Sequence, residues 1–86
     1  MGERMIEEVP VLNGYVLIQA EVGMAKDVGQ ALGGVDGVTS VDMVTGPYDV
    51  IARTQAVDFE QLGAMMSRIQ TVDGVARTLT CSVLHV

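Results

Sequence analysis

Aromatic side chains are scarce in this sequence, which has no tryptophan and contains only Tyr15, Tyr48 and Phe59. Its core must therefore be built from aliphatic residues and methionine, which make up most of the 49% of hydrophobic positions. A chain of 86 residues forms one domain with a marginal core. Because the mean hydropathy is nevertheless positive, the chain carries more apolar surface than one small domain hides. We therefore predict that it forms homo-oligomers.

Positive charge is also in short supply, and the formal net charge is −6. The basic residues are spread along the chain rather than clustered: Arg4, Lys26, Arg53, Arg68 and Arg77. Nucleic-acid binding normally requires clustered cations that displace counterions from phosphates. We therefore expect no direct nucleic-acid binding.

Cysteine and histidine each occur once, as Cys81 and His85. A single cysteine forms no intrachain disulfide, and one residue of each type falls short of a structural zinc site. The glycines fall at turns and helix ends rather than in phosphate-binding fingerprints, and the acidic residues show no paired spacing. We expect no cofactor, no metal and no enzymatic activity, with Cys81 and His85 as ordinary strand residues.

Long apolar runs are absent as well, and no segment approaches the length that spans a bilayer. Residues 1–10 are acidic and lack the apolar region of a signal peptide. We expect a cytoplasmic protein that does not contact membranes. In this prediction residues 1–13 form an N-terminal arm and residues 14–86 form the single domain.

What the sequence does contain is a regular succession of strand and helix patterns. The predicted strands cover residues 14–22, 39–44, 48–55 and 76–86, and the predicted helices cover residues 23–32 and a segment capped by Asp58. Gln61 completes a capping-box pattern with Asp58. We expect Gly33 and Gly34 to end the first helix in a left-handed conformation, and Gly63 to let the second helix pack closely on the sheet.

The tetrapeptide Val-Asp-Gly-Val occurs twice, at residues 35–38 and 72–75, each time between a predicted helix and a predicted strand. This repetition indicates an internal duplication of a β-α-β unit. The resulting order βαββαβ is the ferredoxin-like arrangement of the α+β class, a four-stranded antiparallel sheet with both helices on one face. Right-handed crossovers place the first and third strands at its centre.

The first predicted strand is apolar on both faces, with Tyr15 and Leu17 on one and Val16 and Ile18 on the other. Such a pattern is typical of a strand that is buried on both sides. The two helices of so short a chain cover only one face of the sheet. A second copy of the chain is the simplest cover for the other face.

The segment Val44-Thr45-Gly46-Pro47-Tyr48-Asp49 joins the second and third predicted strands. Gly46-Pro47 predicts a turn, so the flanking strands should form an antiparallel hairpin. Tyr48 and Asp49 have two interpretations. In the first, Tyr48 is a half-buried strand residue and Asp49 accepts a hydrogen bond within the turn, which the turn alone favours. In the second, the ring and the carboxylate hold a small cationic or zwitterionic ligand beside free backbone amides.

Several segments together resemble the effector domain of the Lrp/AsnC regulators, called the RAM domain. The resemblance covers residues 13–86 and rests on residues 44–52, the helix that follows Asp58, residues 69–75, and the spaced pattern Arg77-Thr78-x-Thr80. Members of this family usually carry an N-terminal helix-turn-helix that binds DNA. This chain has neither the room nor the basic face for one, so it resembles a stand-alone RAM domain.

The resemblance implies the ferredoxin-like fold, sheet-to-sheet pairing into a dimeric α/β barrel, and assembly of four or five dimers into an octamer or decamer. It also implies that a small amino acid or related metabolite binds between dimers. Gly46, Tyr48 and Asp49 would form the ligand loop, with Asp49 on the ligand's α-amino group. Thr78 and Thr80 of a neighbouring dimer would contribute hydroxyls. On this basis we favour a ligand role for Asp49.

Three functions follow from these observations. The leading one is a non-enzymatic amino-acid sensor that couples occupancy to assembly. The second is an oligomerisation module without its own ligand, which co-assembles with full-length Lrp/AsnC regulators. The third is a small dimeric-barrel enzyme, which the lack of a histidine or metal set disfavours.

Overall fold

The computed structural model describes residues 11–84. Most of the predicted arm, residues 1–10, and the predicted strand residue His85 lie outside the described residues. The elements are β1 (Leu12–Ala20), α1 (Ala25–Leu32), β2 (Val38–Met43), β3 (Val50–Ala56), α2 (Phe59–Gln70) and β4 (Val75–Ser82).

The four strands form one antiparallel sheet in the order β2-β3-β1-β4. The first and third strands are therefore central, and the predicted ferredoxin-like βαββαβ fold is confirmed. Neither described helix is long and apolar enough to cross a membrane.

The core lies between the helices and one face of the sheet. Alternate residues of the central strands, including Val16, Ile18 and Val50, are fully buried there. They pack with apolar residues spaced four apart on each helix, a spacing that places both residues on one helix face. The buried helix residues are Val28 and Leu32 on α1, and Met65 and Ile69 on α2.

The glycines of the two Val-Asp-Gly-Val repeats take left-handed backbone conformations, with φ of +95° at Gly37 and +96° at Gly74. Each one packs against the helix of the other half of the chain. A Cβ atom on Gly37 would collide with Met65 of α2, and one on Gly74 would lie 2.9 Å from Val28 of α1. The duplication therefore places two equivalent turns against two equivalent helices.

The end of α1 differs from the prediction. Gly33 has φ of −62°, and neither Gly33 nor Gly34 has a positive φ. The helix ends instead through short-range turns, in which the Val35 amide donates to Leu32 and the Val38 amide to Val35. The left-handed residue required to reverse the chain is Gly37, four residues after Gly33.

Several strand ends also differ from the prediction, including that of β4, which ends at Ser82 rather than at residue 86. β1 begins at Leu12 and stops at Ala20, because its register shifts at Gln19 and Ala20 and a turn around Gly23 follows. Val22 lies in that turn and is fully exposed. β3 begins at Val50 rather than at residue 48, because Tyr48 and Asp49 belong to the loop that closes the hairpin.

Asp58 caps the N-terminus of α2 as predicted, but the capping box is only half formed. The Asp58 carboxylate accepts the Gln61 amide at 2.8 Å, and the Gln61 side chain accepts the Val57 amide at 2.7 Å. The first bond satisfies an amide that a helix start leaves unpaired. The second differs from a capping box, because Gln61 binds the residue before the cap rather than Asp58.

Gly63 in α2 does not serve close packing, because a Cβ atom there would meet nothing within 4 Å. The prediction of a contact with the sheet is wrong, since Gly63 is on the exposed face of the helix.

We expect Gly63→Ala to stabilise the fold by about 1 kcal/mol, because alanine loses less backbone entropy in a helix than glycine. Thermal and denaturant unfolding of the variant measure the change. A destabilised variant would contradict the open surroundings of Gly63 and would point to a neighbouring chain at this position.

Candidate functional site

The loop of residues 44–49 is closed by backbone hydrogen bonds at its last residue. The Val44 amide donates to the Asp49 carbonyl, and the Asp49 amide donates to the Ile18 carbonyl of β1, each at 2.9 Å. The loop joins Met43 and Val50, which pair across the predicted hairpin. It is therefore anchored both to its own hairpin and to the neighbouring central strand.

Asp49 carries a half-buried carboxylate whose Oδ2 atom accepts the Ala20 amide at 2.8 Å. Ala20 is where the register of β1 shifts, so this bond satisfies an amide at the irregular end of the strand. Within residues 11–84 the carboxylate forms no salt bridge and no second side-chain hydrogen bond. The charge is thus held in place by β1, and among the described residues its other oxygen has no hydrogen-bond partner.

The tip of the loop is open. Gly46 has φ of +132°, and a Cβ atom there would meet nothing within 4 Å. Thr45, Gly46 and Pro47 are exposed, whereas Tyr48 is half-buried beside Asp49. The loop therefore combines a fixed carboxylate and a half-buried ring with a solvent-exposed tip.

Thr78 and Thr80 lie on β4, on the other side of β1 from the loop. Ile18 pairs with Val50 on one side and with Thr78 on the other, so two strand spacings, about 10 Å, separate Thr78 from the start of β3. The threonines contact α2 instead. The side-chain amide of Gln70 donates to Thr78 Oγ1 at 3.5 Å, and Thr80 Oγ1 lies 3.2 Å from Met66 Sδ. A single chain does not bring the predicted site residues together.

The face of the sheet away from the helices has an apolar centre. Leu17 on β1 pairs with Ile51 on one side and Leu79 on the other, which makes one apolar row across three strands. Leu79 is 50% exposed. In the next row the Arg53 guanidinium lies 5.4 Å from the centre of the Tyr15 ring, a cation–π distance.

Gln19 supports the loop and was not singled out by the sequence. Its side-chain amide reaches the Pro47 carbonyl at 3.3 Å. Residues so far apart in the chain show no local motif, and only the register of the sheet brings them together. Within residues 11–84, no group of three or more histidine, cysteine, aspartate or glutamate residues could hold a metal ion.

Comparison with solved structures shows the same fold in several proteins. The crystal structure of TTHA0845 from Thermus thermophilus is 30% identical, with a TM-score of 0.81 over 87% of this chain and 95% of that one. The L-Met complex of the transcriptional regulator NMB0573 from Neisseria meningitidis is 17% identical, with a TM-score of 0.76 over 86% of this chain and 50% of the regulator.

A third similar structure has a different role. It is the Tat proofreading chaperone NapD of E. coli, 22% identical, with a TM-score of 0.73 over 90% of this chain and 79% of that one. At such identities the likeness concerns the fold alone. Comparison with curated proteins gives no match.

The sequence model of one protein family, described as the Lrp/AsnC ligand binding domain, matches residues 13–86. This range contains the loop of residues 44–49 and the threonines of β4, the segments on which the resemblance rested. The chain therefore belongs to the Lrp/AsnC ligand-binding domain family.

Proposed function

We propose that this protein is a non-enzymatic sensor that binds a small amino acid or a related metabolite through Asp49. The observation that carries the proposal is a half-buried carboxylate fixed by the Ala20 amide and left without a counter-charge among residues 11–84. Its place beside the open Gly46 suits a ligand that carries an ammonium group. The family's description as a ligand-binding domain and the similar regulator with L-Met support the same class of ligand.

The proposed recognition is a charge-assisted hydrogen bond from the ligand ammonium to the free oxygen of Asp49. The anchored loop holds that oxygen in place before the ligand arrives, which lowers the entropy lost on binding. Pro47 has no amide hydrogen, so the ligand carboxylate would depend on the other amides of the loop tip. The half-buried Tyr48 ring would form an apolar wall of the site.

The proposed site is completed by a second dimer, because Thr78 and Thr80 lie across β1 from the loop in the same chain. Their hydroxyls would meet the ligand held by the loop of a neighbouring chain. Ligand occupancy would then join two dimers, which couples binding to the assembly of an octamer or decamer.

The dimer itself would form through the open face of the sheet. The apolar row of Ile51, Leu17 and Leu79 crosses the middle of that face, and its burial against a second copy would remove it from water. This pairing would produce the dimeric α/β barrel.

We expect the wild-type protein to sediment as a dimer or a larger species at micromolar concentration. Leu79→Glu should shift it to a smaller species, because each interface would bury two new carboxylates without partners. Val22→Glu is the matched control, since Val22 is fully exposed in the turn after β1. A folded wild-type monomer in sedimentation velocity would refute the assembly.

Thermal-shift measurements with the full set of standard amino acids, beginning with L-methionine, test the sensor function. A ligand that binds the folded state increases the free energy of unfolding by mass action, by about 2.7 kcal/mol at a hundred times Kd, and so raises the melting temperature. We expect stabilisation by at least one amino acid. No stabilisation at millimolar concentrations would overturn the proposal.

The second candidate is an oligomerisation module that co-assembles with full-length Lrp/AsnC regulators. The open apolar face of the sheet favours it, because assembly through that face does not require a ligand. Normal sedimentation of the wild type together with no response to any amino acid would support this module over the sensor.

A further inference from the structure

A cavity of about 130 Å³ lies at the opposite end of β1 from the loop of residues 44–49. Its floor comes from a row of small residues across the sheet, because Gly14 pairs with Thr54 on one side and with Ser82 on the other. Phe59 and Leu62, at the start of α2, lie above that row. The small side chains of this row leave space below the helix, whereas near Ile18 larger side chains fill the corresponding space.

Thr54 lines the cavity and has a buried hydroxyl without a partner. Thr54 is 2% exposed, and its Oγ1 atom accepts and donates no hydrogen bond within residues 11–84. It faces Gly14, at 3.3 Å from the position that a Cβ atom would take there. A buried hydroxyl without a partner destabilises the free protein. A ligand group that bonds to it therefore gains more binding free energy than a group that bonds to a solvent-exposed hydroxyl.

The remaining lining is apolar or uncharged. Phe59, Leu62 and Val83 contribute hydrocarbon surface, and among the described residues no lysine, arginine, aspartate or glutamate lines the cavity. A charged ligand would lose its hydration there without gaining a counter-charge. The size is close to that of cavities that hold a benzene-sized molecule.

From these observations we propose that the cavity binds a small neutral molecule with an aliphatic body and one hydroxyl or carbonyl group. The body would lie under Phe59 and Leu62. The buried Thr54 hydroxyl would turn toward the cavity and bond to the polar group. The loop of residues 44–49, which holds Asp49, does not line this cavity. Thr80 is the one proposed site residue that also lines the cavity.

The test uses 2-methylpropan-1-ol as the probe and saturation-transfer difference NMR, which detects weak binding to large assemblies. The control probe is 2-methylpropanoate, which has the same carbon skeleton and a charge at pH 7. We expect saturable binding of the alcohol and none of the carboxylate. No saturable signal from the alcohol, or equal binding of the carboxylate, would overturn the proposal.

Thr54→Val keeps the shape of the side chain and removes its hydroxyl. We expect the variant to bind the alcohol about tenfold more weakly, the equivalent of one lost hydrogen bond. It should also melt at a higher temperature, because an unpartnered buried hydroxyl has gone. Unchanged affinity for the alcohol would overturn the role of Thr54.

Asp49→Asn separates this proposal from the proposed sensor function. The substitution lies at the other end of β1, so the variant should bind the alcohol as the wild type does. Loss of alcohol binding in Asp49→Asn would show that the signal comes from the amino-acid site and would refute a separate cavity site.

Discussion

Replacing Gly74 by alanine should destabilise the protein by about 2–5 kcal/mol and lower Tm by at least about 10 °C. Two effects add. The backbone at Gly74 has φ of +96°, and a left-handed conformation costs a residue with a Cβ about 1–2 kcal/mol. The new methyl group would also lie 2.9 Å from Val28 Cγ2. Val28 is fully buried and cannot move aside, and overpacking of a core typically costs about 1–3 kcal/mol.

Gly23→Ala is the matched control for Gly74→Ala. Gly23 also has a positive φ, +81°, but a Cβ atom there would meet nothing within 4 Å. This variant should therefore show only the backbone effect, about 1–2 kcal/mol. Calorimetric or denaturant unfolding of both variants gives the difference between them, which measures the packing effect. Equal losses in the two variants would contradict the packing of the second repeat against α1.

The repeated tetrapeptide also explains why the fold could be predicted from so short a sequence. Each copy of Val-Asp-Gly-Val carries a turn signal and an apolar residue that begins a strand. The two copies therefore mark where a helix ends and a strand begins in each half of the chain. The alternation in β1 placed Val16 and Ile18 together on one face, and in the structure both residues are buried against the helices. Local pattern and global fold agree throughout the central strands.

The element ends were less predictable, because they depend on contacts between distant residues. β1 continues as an apolar pattern to Val22, yet the strand stops at Ala20, where its amide bonds to Asp49 rather than to β4. Gly33 directly follows α1, where a glycine in the left-handed conformation often ends a helix. The glycine with the positive φ is Gly37 instead. Glycine position alone does not show which of several glycines has the positive φ.

The candidate site also has some features that the sequence predicted and others that it did not. The sequence indicated the loop of residues 44–49 through its turn residues, and the structure confirms a loop that closes an antiparallel hairpin. The sequence did not indicate that the Ala20 amide and the Gln19 side chain contact the loop, since neither residue belongs to a local motif. The separation of Thr78 and Thr80 from the loop within one chain could not be predicted from local sequence patterns either, because it depends on the position of β1 between β4 and β3.

The hydrogen bond between Ala20 and Asp49 changes the substitution that best tests the sensor. The simpler prediction from sequence is that Asp49→Ala abolishes amino-acid binding and leaves the fold intact. The structure shows that alanine would also leave the half-buried Ala20 amide without its acceptor. A loss of affinity in Asp49→Ala would therefore combine ligand recognition with damage to the end of β1.

Asp49→Asn should reduce amino-acid affinity by about tenfold to a hundredfold while Tm without ligand stays close to that of the wild type. The asparagine carbonyl oxygen can still accept the Ala20 amide, but the side chain has no charge to attract an ammonium group. A hydrogen bond to a charged group contributes about 1.5–3 kcal/mol, which corresponds to this range of affinity. Asp49→Ala should lose the same affinity and also melt at a lower temperature. Titration calorimetry with the most stabilising amino acid, together with melting of both variants, measures the two effects separately. If Asp49→Asn keeps wild-type affinity while Asp49→Ala only loses stability, then Asp49 serves β1 and the ligand is held elsewhere.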